Sequence, residues 1–130
     1  MWKRRILIVD DETKLTELIK SVLEQTGNYE VYEAHSGLKG LDAARTLKPD
    51  LILLDIMMPG MDGSEVAYKL HADEHLQQIP IVFLTAAVTK QEAGASQGVI
   101  GGHPFLAKPV TVEELIACVE KYSKVNETAT

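Results

Sequence analysis

Apolar residues in this chain fall into two patterns that alternate. Ile6-Leu7-Ile8-Val9, Leu51-Ile52-Leu53-Leu54 and the stretch from Ile79 to Thr85 are continuous runs of strand length, as expected of strands covered on both faces. Leu15, Leu18, Ile19, Val22 and Leu23 instead recur at helical spacing, and Gly27 supplies a left-handed residue to end that helix. "YEVYEA", 29 to 34, alternates with charge and predicts an edge strand. Ser36 then predicts the N-cap of a helix carrying Leu38, Leu41 and Ala44 and stopped by Pro49. "SEVAYKLHADEH", 64 to 75, predicts a short helix with Val66, Ala67 and Leu70 inward, and "HPFLA", 103 to 107, a fifth strand whose Pro104 favours a sheet edge. The last helix carries Val112, Leu115, Ile116 and Val119, with Thr111 as N-cap and Glu113 and Glu114 in its first turn. Between Ala86 and Gly102, the glycines at 94, 98, 101 and 102 make any helix short or frayed.

Strand and helix patterns alternating five times predict an α/β fold: a flavodoxin-like, doubly wound, five-stranded parallel sheet of order 2-1-3-4-5 with helices on both faces. At 130 residues and 45% hydrophobic, the chain has the size of one domain, expected over 1–123 with a polar tail at 124–130. No run of apolar residues is long enough to span a membrane, and Lys3-Arg4-Arg5 passes directly into Ile6 without a signal peptide's apolar region, so a cytoplasmic location is expected. A net charge of -6 opposes sequence-independent binding to nucleic acid. Cys118 is the one cysteine, which excludes an internal disulfide, and its neighbours Leu115, Ile116 and Val119 predict that it packs.

In open α/β sheets the ligand lies beyond the carboxyl ends of the strands, where the strand order reverses. Asp10 and Asp11 end the first strand and Asp55 ends the third, so three carboxylates converge there and repel unless a cation offsets them. Oxygen-only ligation suits a hard divalent ion, Mg²⁺ or Mn²⁺ in its place. Thr85 and Lys108, at the two remaining strand ends, add a hydroxyl and an ammonium suited to phosphoryl oxygens. A nucleophilic carboxylate among them equips the rim for phosphoryl transfer to an aspartate.

"ILIVDDE", "PDLILLDIMMPGMDG", "IPIVFLTA" and "FLAKP" resemble, in residues and in order, the receiver domain of two-component response regulators, from about Lys3 to Lys121. The resemblance implies that Asp55 is the phosphoacceptor and that Asp10, Asp11 and the Met57 carbonyl join it around Mg²⁺. It implies that Thr85 binds the phosphoryl group, that Lys108 pairs with it, that Phe105 is the rotating aromatic of the switch, and that the Lys108–Pro109 peptide is cis. The implied donor is a histidine kinase or a His phosphotransfer protein. The implied receiver of the signal is a downstream protein or an output domain outside this sequence. The kinase, the output and any phosphorylation-dependent dimer stay open. No enzyme activity is implied beyond self-phosphorylation and dephosphorylation on Asp55. Three departures stand out. Phe105 lacks the hydroxyl of a tyrosine, "QGVIGGHP" replaces a small-residue stretch before the fifth strand, and Met57 and Ala87 are apolar where relatives carry groups that orient water. The last departure predicts a long-lived acyl phosphate.

Other readings have less behind them. Asp10-Asp11-Glu12 alone would also fit a solvated helix start. An aspartate-nucleophile phosphatase would want a second carboxylate two residues after Asp55, where Met57 stands. An interaction module that no longer takes phosphate would be expected to lack Asp55, Lys108 or the acidic pair. His71 and His75, four apart, have no evident third metal ligand and read as a solvated face. Met57, Met58 and Met61 suit either a partner surface or loop packing.

Overall fold

The structure, a computed structural model, describes residues 3–86, 99–100 and 102–123. The predicted alternation is realised as β1 (Arg4–Val9), α1 (Thr13–Gln25), β2 (Tyr29–Ala34), α2 (Gly37–Leu47), β3 (Leu51–Asp55), α3 (Gly63–Ala72), β4 (Ile81–Thr85), β5 (Val99–Ile100), β6 (His103–Ala107) and α4 (Val112–Ser123). The five parallel strands lie in the order expected, β2-β1-β3-β4-β6, with β2 at one edge. The short helix or frayed segment expected from Ala86 falls almost wholly outside the described residues, as do Ala87 and the 124–130 tail.

The continuous apolar runs fold as they do because the pleat sends alternate residues to opposite faces. Leu7, Val9, Ile52 and Leu54 pack with Leu41 and Ala44 of α2 and Val66, Ala67 and Leu70 of α3. Ile6, Ile8, Leu51 and Leu53 pack with Ile19 and Leu23 of α1 and Leu115, Cys118 and Val119 of α4. Each fully buried leucine or isoleucine contributes roughly 1.5–3 kcal/mol. Cys118 packs as expected, and burial pushes its thiol up to about 11.

Helix ends follow local chemistry. The Ser36 hydroxyl accepts the Lys39 N–H at 3.2 Å, and Lys48, before Pro49, closes α2 in the left-handed region. Gly27 has φ +83° after α1. Thr111 and Glu114 form a reciprocal capping box on α4: the Glu114 N–H donates to the Thr111 hydroxyl at 3.1 Å and the Thr111 N–H to the Glu114 carboxylate at 3.0 Å.

Four sequence expectations need correction. Leu18, Leu38 and Val112 share the helical period of the core yet are largely exposed, because a packed stripe is narrower than the period allows. The third helix ends at Ala72 rather than 75, since Asp73 takes an extended conformation. The fourth strand begins at Ile81 rather than Ile79. The fifth parallel strand does not have a bare edge at Pro104, which pairs with Val99 of the two-residue antiparallel strand β5. The parallel ladder to β4 starts at Phe105, so it makes no demand on the N–H that Pro104 lacks.

Candidate functional site

Register brings the rim together. Val9 pairs with Leu54, so Asp10 leaves β1 in the row where Asp55 ends β3. Asp55 pairs with Leu84 and Thr85 with Ala107, which puts Thr85 one row and Lys108 two rows further out at the same carboxyl end of the sheet. Beyond Asp55 the chain turns away through Gly60, whose φ of +76° suits glycine, and re-enters at Gly63. A Cβ on Gly63 would collide with the Asp55 carbonyl, so α3 starts that close to β3 only because residue 63 is glycine. The Gly63 N–H donates to the Ile56 carbonyl at 2.8 Å and pins the turn.

Asp10, Asp11 and Asp55 each place a carboxylate oxygen within 4.8 Å of the others, the one such group of potential metal ligands among the described residues. Asp10 is fully buried, Asp55 is 3% exposed and Asp11 faces solvent. Lys108 supplies the countercharge: its Nζ lies 2.8 Å from Asp10 Oδ2, 3.8 Å from Asp55 Oδ1 and 3.7 Å from Glu12 Oε1. Burial opposes the lysine's charge, but the Asp10 hydrogen bond and the surrounding carboxylates hold its pKa above the ordinary value. Asp55 is pushed the other way, up to about 6, first by burial and then by Asp10, against the opposing pull of Lys108 and of the Met57 N–H that donates to it at 3.2 Å. Three aspartates, with Glu12 also at Lys108, against one ammonium leave the rim with excess negative charge, a site suited to a cation.

Thr85 is fully buried at the end of β4, and its carbonyl accepts the Lys108 N–H at 2.8 Å. Phe105 is buried among Leu54, Phe83 and their neighbours, and the Lys108–Pro109 peptide is cis. The methionines of the turn divide: Met58 is buried, Met61 packs against the core and Met57 is 65% exposed. Of the rim residues singled out from sequence, Asp10, Asp11, Asp55 and Lys108 converge, and further contacts went unrecognised. Glu12 joins the Lys108 cluster, and on the α1–β2 side the Thr16 hydroxyl lies 2.6 Å from Glu33 Oε1 and 3.1 Å from His35 Nε2. Away from the rim, His71 is exposed as expected, but it meets His103 rather than His75.

Comparison with known proteins agrees with this geometry. The family model for the response regulator receiver domain matches residues 6–120. The chain is 37% identical over 120 residues to the polar-differentiation response regulator DivK of Brucella ovis, covering 92% of this chain and 95% of DivK. It is 42% identical over 116 residues to RpaA of Synechocystis, described as a DNA-binding dual master transcriptional regulator; there the match takes in 88% of this chain but 47% of RpaA, about half its length. Among solved structures, the receiver domain of the sensor histidine kinase PA1611 from Pseudomonas aeruginosa superposes with a TM-score of 0.79 at 26% identity, over 95% of this chain and 99% of that one, and its structure has a magnesium ion coordinated in the active-site cleft.

A doubly wound sheet with an acidic rim and a lysine countercharge, matched over most of its length by one family, defines the class: the chain belongs to the response regulator receiver domain family. It is a phosphoacceptor signalling domain of two-component systems, a family that works with histidine kinases or phosphotransfer proteins. No helix among the described residues is long and apolar enough to cross a membrane.

Proposed function

We propose that Asp55 is the residue that takes the phosphoryl group. The observation that carries this reading is the convergence of a nearly buried Asp55 with Asp10, Asp11 and Lys108 at the carboxyl ends of β1, β3 and β6. One Asp55 carboxylate oxygen attacks the phosphorus of a donor's phosphohistidine, the P–N bond breaks, and the imidazole leaves with its electron pair. Lys108, 3.8 Å from that carboxylate, offsets the charge that accumulates on the phosphoryl oxygens.

Asp10, Asp11, Asp55 and the Met57 carbonyl would hold Mg²⁺, or Mn²⁺. The oxygen-only donor set fits, and although Asp10 already accepts bonds from Lys108 and from the Glu12 N–H, its carboxylate has further lone pairs. When bound, the ion would supply positive charge for the incoming phosphoryl oxygens. The Asp55 carboxyl, raised to about 6 without the ion, would then be fully ionised and nucleophilic at neutral pH. Nothing in this chemistry acts on a separate substrate; the domain modifies and restores only itself.

A donor protein must carry its phosphohistidine to the rim and therefore dock beside it. Leu18, 61% exposed on α1, and Val112 at the start of α4 flank an apolar groove that continues from Val110, two residues after Lys108. The switch would run through Thr85 and Phe105. A phosphoryl group adds a charge of roughly -2 beside the Thr85 hydroxyl, and Phe105, already inward, would be held in one of two arrangements, a population shift rather than a refolding. The exposed, apolar Met57 side chain offers no group to orient hydrolytic water, which supports a long-lived acyl phosphate.

The test is incubation with a small phosphodonor and Mg²⁺ followed by intact mass. One added phosphoryl group is expected in the native protein and none in Asp55→Asn. A group that persists in Asp55→Asn would move the acceptor elsewhere.

A further inference from the structure

Apart from the acidic cluster, His71 in the last turn of α3 and His103 at the start of β6 bring their imidazoles together. Their Nε2 atoms are 2.8 Å apart, and the rings lie 4.8 Å between centroids at 30° to one another. His103 is in turn held edge-on by Phe83, with ring centroids 5.5 Å apart and planes at 89°, so one of the two nitrogens is aimed by the core itself. We propose that His71 and His103 form a binding site for a first-row transition ion of tetragonal or octahedral preference, Ni²⁺ or Cu²⁺, distinct from the acidic rim.

The geometry selects the class of ion. Two imidazole nitrogens bound at about 2.0–2.1 Å in adjacent, right-angled positions stand about 2.9 Å apart, whereas a tetrahedral arrangement would spread them to about 3.3–3.4 Å. The observed 2.8 Å matches the right-angled case. In the metal-free protein the same approach is an imidazole–imidazole hydrogen bond, in which one ring donates and the other accepts; to bind the ion the donating ring moves its proton from Nε2 to Nδ1 through solvent, and both Nε2 lone pairs turn toward an ion lying off the N–N line. The setting favours a cation further: His71 stands at the carbonyl end of α3, where the helix dipole is negative. His71 faces solvent, which leaves room for water at the remaining positions.

The test uses the full chain with Mg²⁺ in large excess, to occupy the acidic rim, and Ni²⁺ titrated as the probe. The protein has four histidines, so the ring resonances of His35, His71, His75 and His103 are resolved and assigned by NMR. Paramagnetic broadening at the first equivalent is expected to remove the His71 and His103 signals together and to spare His35 and His75. His71→Asn, an exposed substitution that leaves the fold intact, is expected to weaken Ni²⁺ binding by at least about tenfold. Ni²⁺ is also expected to raise the melting temperature of the native protein and not of the variant, because the ion ties α3 to a strand 32 residues away. Broadening of one ring alone, broadening of all four alike, binding that Mg²⁺ abolishes, or affinity unchanged in His71→Asn would each overturn the proposal.

Discussion

Replacing Asp55 with asparagine is expected to make the metal-free protein more stable. The native state holds the Asp55 carboxyl at about 6 rather than 3.8, because the charged form is nearly buried beside Asp10. That difference corresponds to about 3 kcal/mol of native-state penalty once the group is ionised. Asparagine removes the charge and keeps an oxygen to accept the Met57 N–H. Lys108 loses a neighbour at 3.8 Å but retains Asp10 at 2.8 Å, so an expected net gain of about 1–2 kcal/mol remains at neutral pH. The sign of the pH dependence follows from the raised value. Between the two pKa values the native state carries more protons than the unfolded chain, so wild-type stability falls as pH rises from 3.8 to about 6 and levels off above. The asparagine variant lacks that fall. Urea denaturation followed by circular dichroism, in chelator, above and below this window, measures both quantities. Repeating it with Mg²⁺ should narrow or invert the gap, since an ion that binds the native carboxylates stabilises the wild type more. A variant no more stable than wild type in chelator, or one that retains the full pH-dependent fall, would refute the reasoning.

Lys108→Ala is expected to cost about 2–3 kcal/mol in metal-free denaturation, because it leaves the fully buried Asp10 without its ammonium partner. Gly63→Ala should cost about 1–3 kcal/mol, since the new methyl group meets the Asp55 carbonyl. The same variant should slow phosphorylation by a small donor, read as intact mass against time. Leu18→Glu places a charge in the groove beside the rim; it is expected to slow phosphoryl transfer from a protein donor while leaving transfer from a small phosphodonor unchanged, which parallel kinetics with the two donors distinguish.

The sheet was legible because strands buried on both faces leave no polar alternation, and Ile6–Val9 and Leu51–Leu54 carry none. Once those strands are parallel and neighbouring, the register that pairs Val9 with Leu54 places Asp10 beside Asp55 without further information. What periodicity cannot fix is the width of a buried stripe. Leu18 and Leu38 lie on the helical period and yet face solvent, because depth depends on the height of the neighbouring elements rather than on the helix itself. Contacts between residues far apart in sequence with no shared pattern were also invisible. His71 meets His103 across 32 positions, and Glu12 reaches Lys108 only after α1 and β6 are in place. A strand as short as Val99–Ile100 has too few residues to show alternation at all.

The rim also links stability to function through chain order. Its carboxylates come from Asp10 and Asp55 in the first half of the chain, while the ammonium that offsets them comes from Lys108, 98 residues after Asp10. A fragment that had formed β1 and β3 alone would hold two crowded carboxylates with no countercharge, so the acidic pair opposes its own assembly until β6 docks on β4. Phe83 pairs with Phe105 in that final ladder, and their burial supplies the apolar contact that brings Lys108 to the rim. The strand that carries Phe105 is thus the strand that delivers the lysine, and any ligand at the rim that draws on Lys108 acts next to the end of β6. Lys108 and Phe105 are tied to one short strand, so a change at the rim that moves Lys108 also bears on the packing of Phe105.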